Sequence, residues 1–488
     1  MYPVRAAKFR NTPFVILWTV FLVSLSVLAV TSLPAGAQES QGPESNLPVL
    51  SLRDCLEVAL GDSPILMVSD EQRHIASQDV TGAWGQFLPT ISLGYDWQKA
   101  ERTDFDQNQY VSGPNLHILT REGIDLPYPT SIPAGQADET IITKYKGLNG
   151  QVRLNVFQGF AKFSRLSSAK NSLKAAEATR DYTRERVVED VTSAYFNLLR
   201  FQRLLEVAVE TRDQTQLELD RTETYFRLGS AAKSDVLQQR VQVENAKLDV
   251  VVADNTVKKA FADLAYNMNR PLAEGFTIDE SILDTDYNVP NVDALYTEAL
   301  ANRLDLISSE HNLNARNKDV TTATSAAWPS FDVYLNHTRY ENDSPFRFGS
   351  SKSASTTYGW SASWNVFDRL LTWTGRSQAK ANARIAEYQL QQAKLNVQVE
   401  VRQLYNSLVE AREKAHVSRE TIIQSEEELR LARERFRVGA GTTLDIILAQ
   451  ANLTNSKAQE VQAMCDFLIT QTQMYRAVGR TNAWAGEQ

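Results

Sequence analysis

RFRVGAGTTLD, residues Arg435–Asp445, sits between two long segments that hold neither glycine nor proline, one from Arg376 to Val438 and one from Thr442 to Val478. YFRLGSAAKSD, Tyr225–Asp235, lies 210 residues earlier and reads almost the same way, with Gly229 answering to Gly439 and Asp235 to Asp445. Glycine enters the left-handed conformation that ends a helix without a Cβ clash. Arg227 and Arg437 fall in the turn before it, where a cation meets the negative end of the helix dipole. Thr442 with Asp445 has the spacing of a capping box that opens a new helix. Asp235 holds the same place, although Ala232 stands where the threonine would be. Each stretch is therefore expected to be the tip of a helical hairpin, with helices over about 160–228 and 231–270, and again over about 370–438 and 442–478. At about 1.5 Å per residue the long arms reach roughly 100 Å, far beyond an ordinary globular helix. Val187, Val191, Ala194, Leu198 and Leu205 mark one apolar stripe, and Val397, Val401, Leu404, Leu408 and Ala411 mark its counterpart. Such helices need partners along their whole length, as in a coiled coil or bundle.

The hairpins belong to a larger duplication. At the same offset of 210, Asn155–Phe157 matches Asn365–Phe367, and Val191 and Tyr195 match Val401 and Tyr405. At an offset of 240, Ala59, Leu66 and Pro89 match Ala299, Leu306 and Pro329. The first copy thus holds 30 extra residues between Pro89 and Asn155. They include SGPNLHILTREGIDLPYPTSIPAGQ at 112–136, polar and proline-rich, which reads as a long exposed loop. The repeats are expected over 69–270 and 307–480, each opening with a short helix, about 69–86 and 307–327.

Each copy also carries two alternating segments, expected as strands over about 87–98 and 148–157, then 329–340 and 356–367. Ile91, Leu93, Tyr95 and Trp97 alternate with Ser92, Gly94, Asp96 and Gln98; Tyr358, Trp360, Ala362, Trp364 and Val366 alternate with smaller or polar residues. Period two gives one apolar and one polar face, and the aromatics suit a membrane-interface girdle. Alternation alone leaves open a soluble, half-buried antiparallel sheet. Four strands cannot close a barrel, because a small closed barrel needs about eight, so membrane strands here would be one share of a symmetric assembly.

The N-terminus reads as a cleaved signal peptide over 1–37: Arg5, Lys8 and Arg10, an apolar run from Phe14 to Val30, then Ala35-Gly36-Ala37 before Gln38. Those residues carry three basic and no acidic side chains, so the formal charge of -8 becomes -11 after cleavage. An acidic exported protein is a poor nucleic-acid binder. Cys55 and Cys465 are too far apart for a disulfide framework or a metal spacing. His74, His117, His311, His337 and His416 are scattered, and no phosphate loop or nucleophile elbow occurs. No enzyme activity, cofactor or metal site is expected.

Taken together, the chain resembles the TolC family of outer-membrane channel proteins. The resemblance rests on SLRDCLEVAL at Ser51–Leu60 with SPIL at Ser63–Leu66, and on LPTISLGYDW at Leu88–Trp97. It rests also on VTSAYFNLL at Val191–Leu199, on the paired RLG and RVG tips, and on the duplication. It implies a mixed α/β membrane protein that works as a homotrimer. Three chains would share one twelve-stranded barrel in the outer membrane, continued by a periplasmic α-helical barrel. Residues 38–68 and 271–306, with the tail 481–488, would form an equatorial belt. The implied function is export: an exit duct of a tripartite efflux pump or type I secretion system, in contact with outer-membrane lipid. It would dock on a periplasmic adaptor linked to an inner-membrane pump or ABC transporter. Arg227, Leu228 and Gly229, with Arg437, Val438 and Gly439, match the family's adaptor-docking motif. Asp235, Asp445 and Phe436 match positions at the periplasmic aperture, where repeated carboxylates would form cation-favouring rings. Some members have arginine where this chain has Gly441, aspartate at Leu448 and tyrosine at Phe436, which implies a looser polar lock here. The rival reading is a secreted, non-pore helical scaffold or adaptor whose sheets are soluble.

Overall fold

The computed structural model describes residues 48–104, 117–119, 125–127, 139–272, 275–279, 291–343 and 351–480. The expected leader, the start of the first equatorial segment, most of the loop at 112–136 and the C-terminal tail lie outside the described residues. The first half comprises β1 (Val49–Leu50), α1 (Leu52–Asp62), α2 (Pro64–Gly85), β2 (Thr90–Asp104), β3 (His117–Leu119), β4 (Asp125–Pro127), β5 (Glu139–Gln158), α3 (Ala161–Arg227) and α4 (Lys233–Asn267). The second comprises β6 (Thr277–Ile278), α5 (Val292–Asn302), α6 (Leu304–Thr324), β7 (Ser330–Asp343), β8 (Ser351–Ser363), α7 (Leu371–Arg437) and α8 (Thr443–Ala477).

β2, β5, β7 and β8 form one antiparallel sheet in that order, so β2 and β8 are its edges. β2 and β5 are longer than the segments expected at 87–98 and 148–157, pairing from Thr90 with Arg153 to Asp104 with Glu139. Part of the insertion in the first copy extends this ladder, because paired backbone needs no water or side-chain partners. A further part forms the β3–β4 ribbon. The strand expected over 356–367 instead runs Ser351–Ser363. Ser363 lies opposite Ser330, the first residue of β7, so Trp364 and Val366 have no neighbouring strand to pair with. The Trp364 indole donates to the Ala327 carbonyl at 3.1 Å.

Strand and long helix join in the same way in both copies. Gly159 and Phe160 take φ of 54° and 67°; Arg369 and Leu370, their duplicates, take 57° and 67°. Two successive left-handed residues swing the chain out of the sheet. Glycine is needed at 159, where a Cβ would lie 2.4 Å from the Ser325 carbonyl oxygen. A bulge in β5 between Asn155 and Phe157 then aligns Phe157 with Phe331 across the ladder.

The apolar stripes of the long helices are buried where α1, α5 and the short β1–β6 pair wrap them. One cluster joins Leu52, Cys55 and Leu56 of α1 to Val187, Val191, Tyr195 and Leu198 of α3 and to Leu264 of α4. The other joins Leu295 and Ala299 of α5 to Val397 and Val401 of α7 and to Met474 and Ala477 of α8. Cys55 and Cys465 are free, buried thiols, and burial pushes them up to about 12 and about 11.

The second cluster is overlaid by a network of ion pairs. Arg303, between α5 and α6, forks onto Asp305 (2.8 and 3.0 Å) and reaches Glu400 of α7 at 2.6 Å. Glu400 also accepts from Arg476 of α8 at 2.9 Å, and Arg476 pairs with Glu189 of α3. Glu185, one turn from Glu189, is 3 % exposed. Burial, opposed by Arg476 and reinforced by Asp305, raises it to about 7 from an ordinary 4.5. The fold therefore favours the protonated form. Its contribution is fully present below pH 4.5, is lost as pH rises towards 7, and is level above that. Glu185→Gln is expected to flatten this part of the pH–stability curve. At pH 8 the variant gains on the order of 2–3 kcal/mol, measured as urea midpoints at pH 5 and pH 8. A wild-type midpoint that does not fall across that window excludes the shift.

Candidate functional site

The tips are built as the sequence predicts. Ser230 N donates to the Tyr225 carbonyl at 2.8 Å and Gly229 N to Phe226 at 3.0 Å; Ala440 N and Gly439 N do the same to Arg435 (2.8 Å) and Phe436 (3.0 Å). Gly229 and Gly439 have φ of 76° and 75°. Paired bonds of this kind around a left-handed glycine satisfy the last helical carbonyls. A Cβ at either glycine would meet nothing within 4 Å, so each tip presents bare backbone to solvent. Leu228 and Val438 stand beside them, 73 % and 71 % exposed. The Arg227 guanidinium donates to Thr224 Oγ1 at 3.1 Å, and Arg437 pairs with Glu434 at 2.8 Å. Both arginines thus lie along their own helices with their heads at the tip.

Asp445 accepts from Thr442 N (2.8 Å) and Oγ1 (2.9 Å), while Asp445 N donates back to Thr442 Oγ1 at 3.3 Å. These bonds to Thr442 hold the Asp445 carboxyl below the usual carboxylate range. Asp235 accepts from Ala232 N at 3.0 Å, but Ala232 has no side-chain oxygen to return the bond. Both aspartates are thus first-turn caps. Their backbones match closely, with φ, ψ of -82°, 156° at Ala232 and -112°, 159° at Thr442. Ala232→Thr is expected to stabilise the first tip by about 1 kcal/mol, and Thr442→Ala to weaken the second by a similar amount. Hydrogen exchange of the amides just after each cap reads both; opposite signs at the two tips are required.

Phe436 lies half-buried against the apolar tip cluster of Leu429, Ile446 and Leu453 and meets Tyr225 edge-on, ring centroids 5.7 Å apart. It joins the two hairpins. A polar link missed in the sequence does the same: buried Glu218 of α3 accepts a hydrogen bond from Arg221 of its own helix at 2.8 Å and forms an ion pair with Arg433 of α7, also at 2.8 Å. Its partner lies 215 residues away, so no local spacing announces it. Gly441 leaves little room for a side chain, because a Cβ would lie 3.1 Å from both Arg435 Cβ and Phe436 N.

At the opposite end of the long helices from the tips, the sheet separates its faces. Ile91, Leu93, Tyr95 and Trp97 of β2 share one face with Val152 and Leu148 of β5, Leu335 and Val333 of β7, and Tyr358 and Trp360 of β8. All are exposed in the single chain except Val152, which is half-buried. The opposite face is polar: Asn149 donates to Asp96 at 3.0 Å, and Arg153 and Asn155 both reach Asp332 (3.3 and 3.2 Å). Trp328, Trp364 and Trp373 stand exposed where strands give way to helices. Among the described residues no helix is long and apolar enough to cross a membrane, and no group of three or more His, Cys, Asp or Glu is placed to hold a metal ion.

A sheet of this kind, continued into paired helical hairpins, defines the protomer of an outer-membrane channel. The chain belongs to the outer membrane efflux protein family, whose profile matches residues 128–270 and 295–480. It is similar to outer membrane protein TolC of Escherichia coli K12, with 22% identity over 365 residues, 71% of this chain and 74% of TolC. Among solved structures it is similar to CusC (TM-score 0.73, 15% identity, 88% of this chain and 92% of CusC). It is also similar to the Campylobacter jejuni CmeC outer membrane channel (TM-score 0.68, 14% identity, 93% and 94%). These structural likenesses establish the fold.

Proposed function

We propose that this chain is the outer-membrane exit duct of a tripartite efflux pump or type I secretion system, working as a homotrimer and passive conduit. The observation that carries this is the sheet: among the described residues it has four strands, two unpaired edges, one apolar face and one polar face. An exposed edge of this length is an aggregation hazard unless another strand covers it, and closure with copies of itself removes every edge. The tips, with exposed glycine backbone and flanking Arg227 and Arg437, suit close approach by another helical tip, that of a periplasmic adaptor. The adaptor would link the duct to an inner-membrane pump or ABC transporter. Asp235 and Asp445, repeated around a threefold axis, would favour cations at the aperture.

Single-channel conductance of the purified protein in a planar bilayer tests this. Stepwise, cation-preferring conductance is expected, with the preference reduced in Asp445→Asn. A folded trimer that never inserts refutes the duct and leaves the soluble scaffold in its place.

A further inference from the structure

The apolar face of the sheet changes character along its length. Near the helices it is formed by Val333, Trp360 and their neighbours. Farther out, one row aligns Tyr95, Leu148 and Arg339, and the next aligns Trp97, Lys146, Glu341 and Lys352. Tyr95, Lys146, Leu148, Arg339, Glu341 and Lys352 border a groove of about 330 Å³. Lys352 lies 3.4 Å from Glu341. Among the described residues, no ion pair or hydrogen bond engages the side chain of Lys146 or Arg339. Both are exposed, and both point the same way as an aromatic band.

We propose that this groove binds a phosphate of a phosphorylated glycolipid in the outer leaflet, whose acyl chains lie on the apolar band beside it. The inference rests on the duct reading, which puts the helix-distal rim of the sheet at the outer surface. Cations bordering hydrocarbon are costly without a counter-charge, and basic pockets at a membrane surface attract anionic headgroups. Arg339 offers a planar fork that matches phosphate oxygens, while Lys146 and Lys352 act as point charges. Free phosphate would gain nothing from the floor of Tyr95 and Leu148, whereas an amphiphile covers that floor and the cations together. The helix-proximal rim of the same face carries Phe331 and Ala362 at the corresponding register, without charge.

The test uses the full-length protein in phosphatidylcholine nanodiscs, with bound lipid counted by native mass spectrometry. The probes are bisphosphorylated lipid A, its dephosphorylated form, and inorganic phosphate in excess. Saturable binding of bisphosphorylated lipid A is expected. It should weaken about tenfold or more for the dephosphorylated lipid and for the variant combining Lys146→Gln, Arg339→Gln and Lys352→Gln, as charge-assisted hydrogen bonds are lost. Lys146→Arg with Lys352→Arg should retain it, and inorganic phosphate should not displace it. Equal binding of the two lipid forms overturns the inference without any variant needing to fold. Displacement by phosphate alone overturns the lipid as ligand. Protein that conducts in a bilayer but binds no lipid A sinks this inference alone, whereas protein that never inserts sinks the duct reading with it.

Discussion

Replacing Gly229 and Gly439 together with valine is expected to abolish export in cells while leaving a trimer that still conducts when purified. Both glycines hold φ near 75°, where a β-branched side chain is a steric outlier. The left-handed conformation costs a side-chain-bearing residue about 1–2 kcal/mol. Nothing lies within 4 Å of the added Cβ, so no packing penalty accompanies that cost. A cost of this size is small beside two helical arms of 67 residues each, packed against neighbouring helices. At the tips, however, each valine fills the space that another helical tip would enter in the proposed docking. Export, read as susceptibility to a transported compound in cells lacking their own channel, should fall by about tenfold or more for each 1.4 kcal/mol lost from docking. Alanine at both positions imposes most of the backbone strain with one methyl group, and should fall between. If conductance and export decline together in step with tip stability, the glycines only end helices and the docking assignment is wrong.

The hairpins were legible because their signals are local. A glycine, a cation two residues before it and an acid six residues after it are read within eleven residues, and duplication repeats the signal at a fixed offset. The strands were legible in kind but not in length. Alternation marks Ile91 to Trp97, yet the ladder continues through Lys99, Glu101 and beyond, where polarity no longer alternates and only pairing with β5 holds the strand. β8 erred the other way: Trp364 and Val366 keep the alternation, but no β7 residue lies opposite them. Least legible were links between distant segments. Glu218 with Arg433, and Arg303 with Glu400, are set by which helices pack side by side, and nothing in the spacing of their own segments points to the partner.

Arg303 offers the largest expected effect on stability. Its side chain is 6 % exposed and joins four elements' worth of backbone and charge: Asp305 at the start of α6, Glu400 on α7, the Ala477 carbonyl at the end of α8 (3.4 Å), and through Glu400 the Arg476–Glu189 pair to α3. Removing one member of a buried ion pair costs about 3–5 kcal/mol, chiefly because the other charge stays behind without a partner. Here Arg303→Met leaves Asp305 without its fork, while Glu400 keeps Arg476, so the expected loss lies near the lower end, about 3 kcal/mol. The loss should be local. Amides of α5 and of the last turns of α8 are expected to exchange on the order of a hundredfold faster, since each factor of ten corresponds to 1.36 kcal/mol. Amides at the hairpin tips should be unchanged. Arg303→Lys separates charge from geometry, because an ammonium keeps the sign but cannot fork onto Asp305 while reaching Glu400; it should recover part of the protection. Glu185 supplies a second readout. With Arg303 gone, an attraction that favours its ionised form disappears while Asp305 remains, so its titration should move further up. Exchange that rises equally in the tips and the belt would mean that the cluster holds no particular segment, and a Glu185 titration unmoved by the substitution would mean that the two groups are not electrostatically coupled.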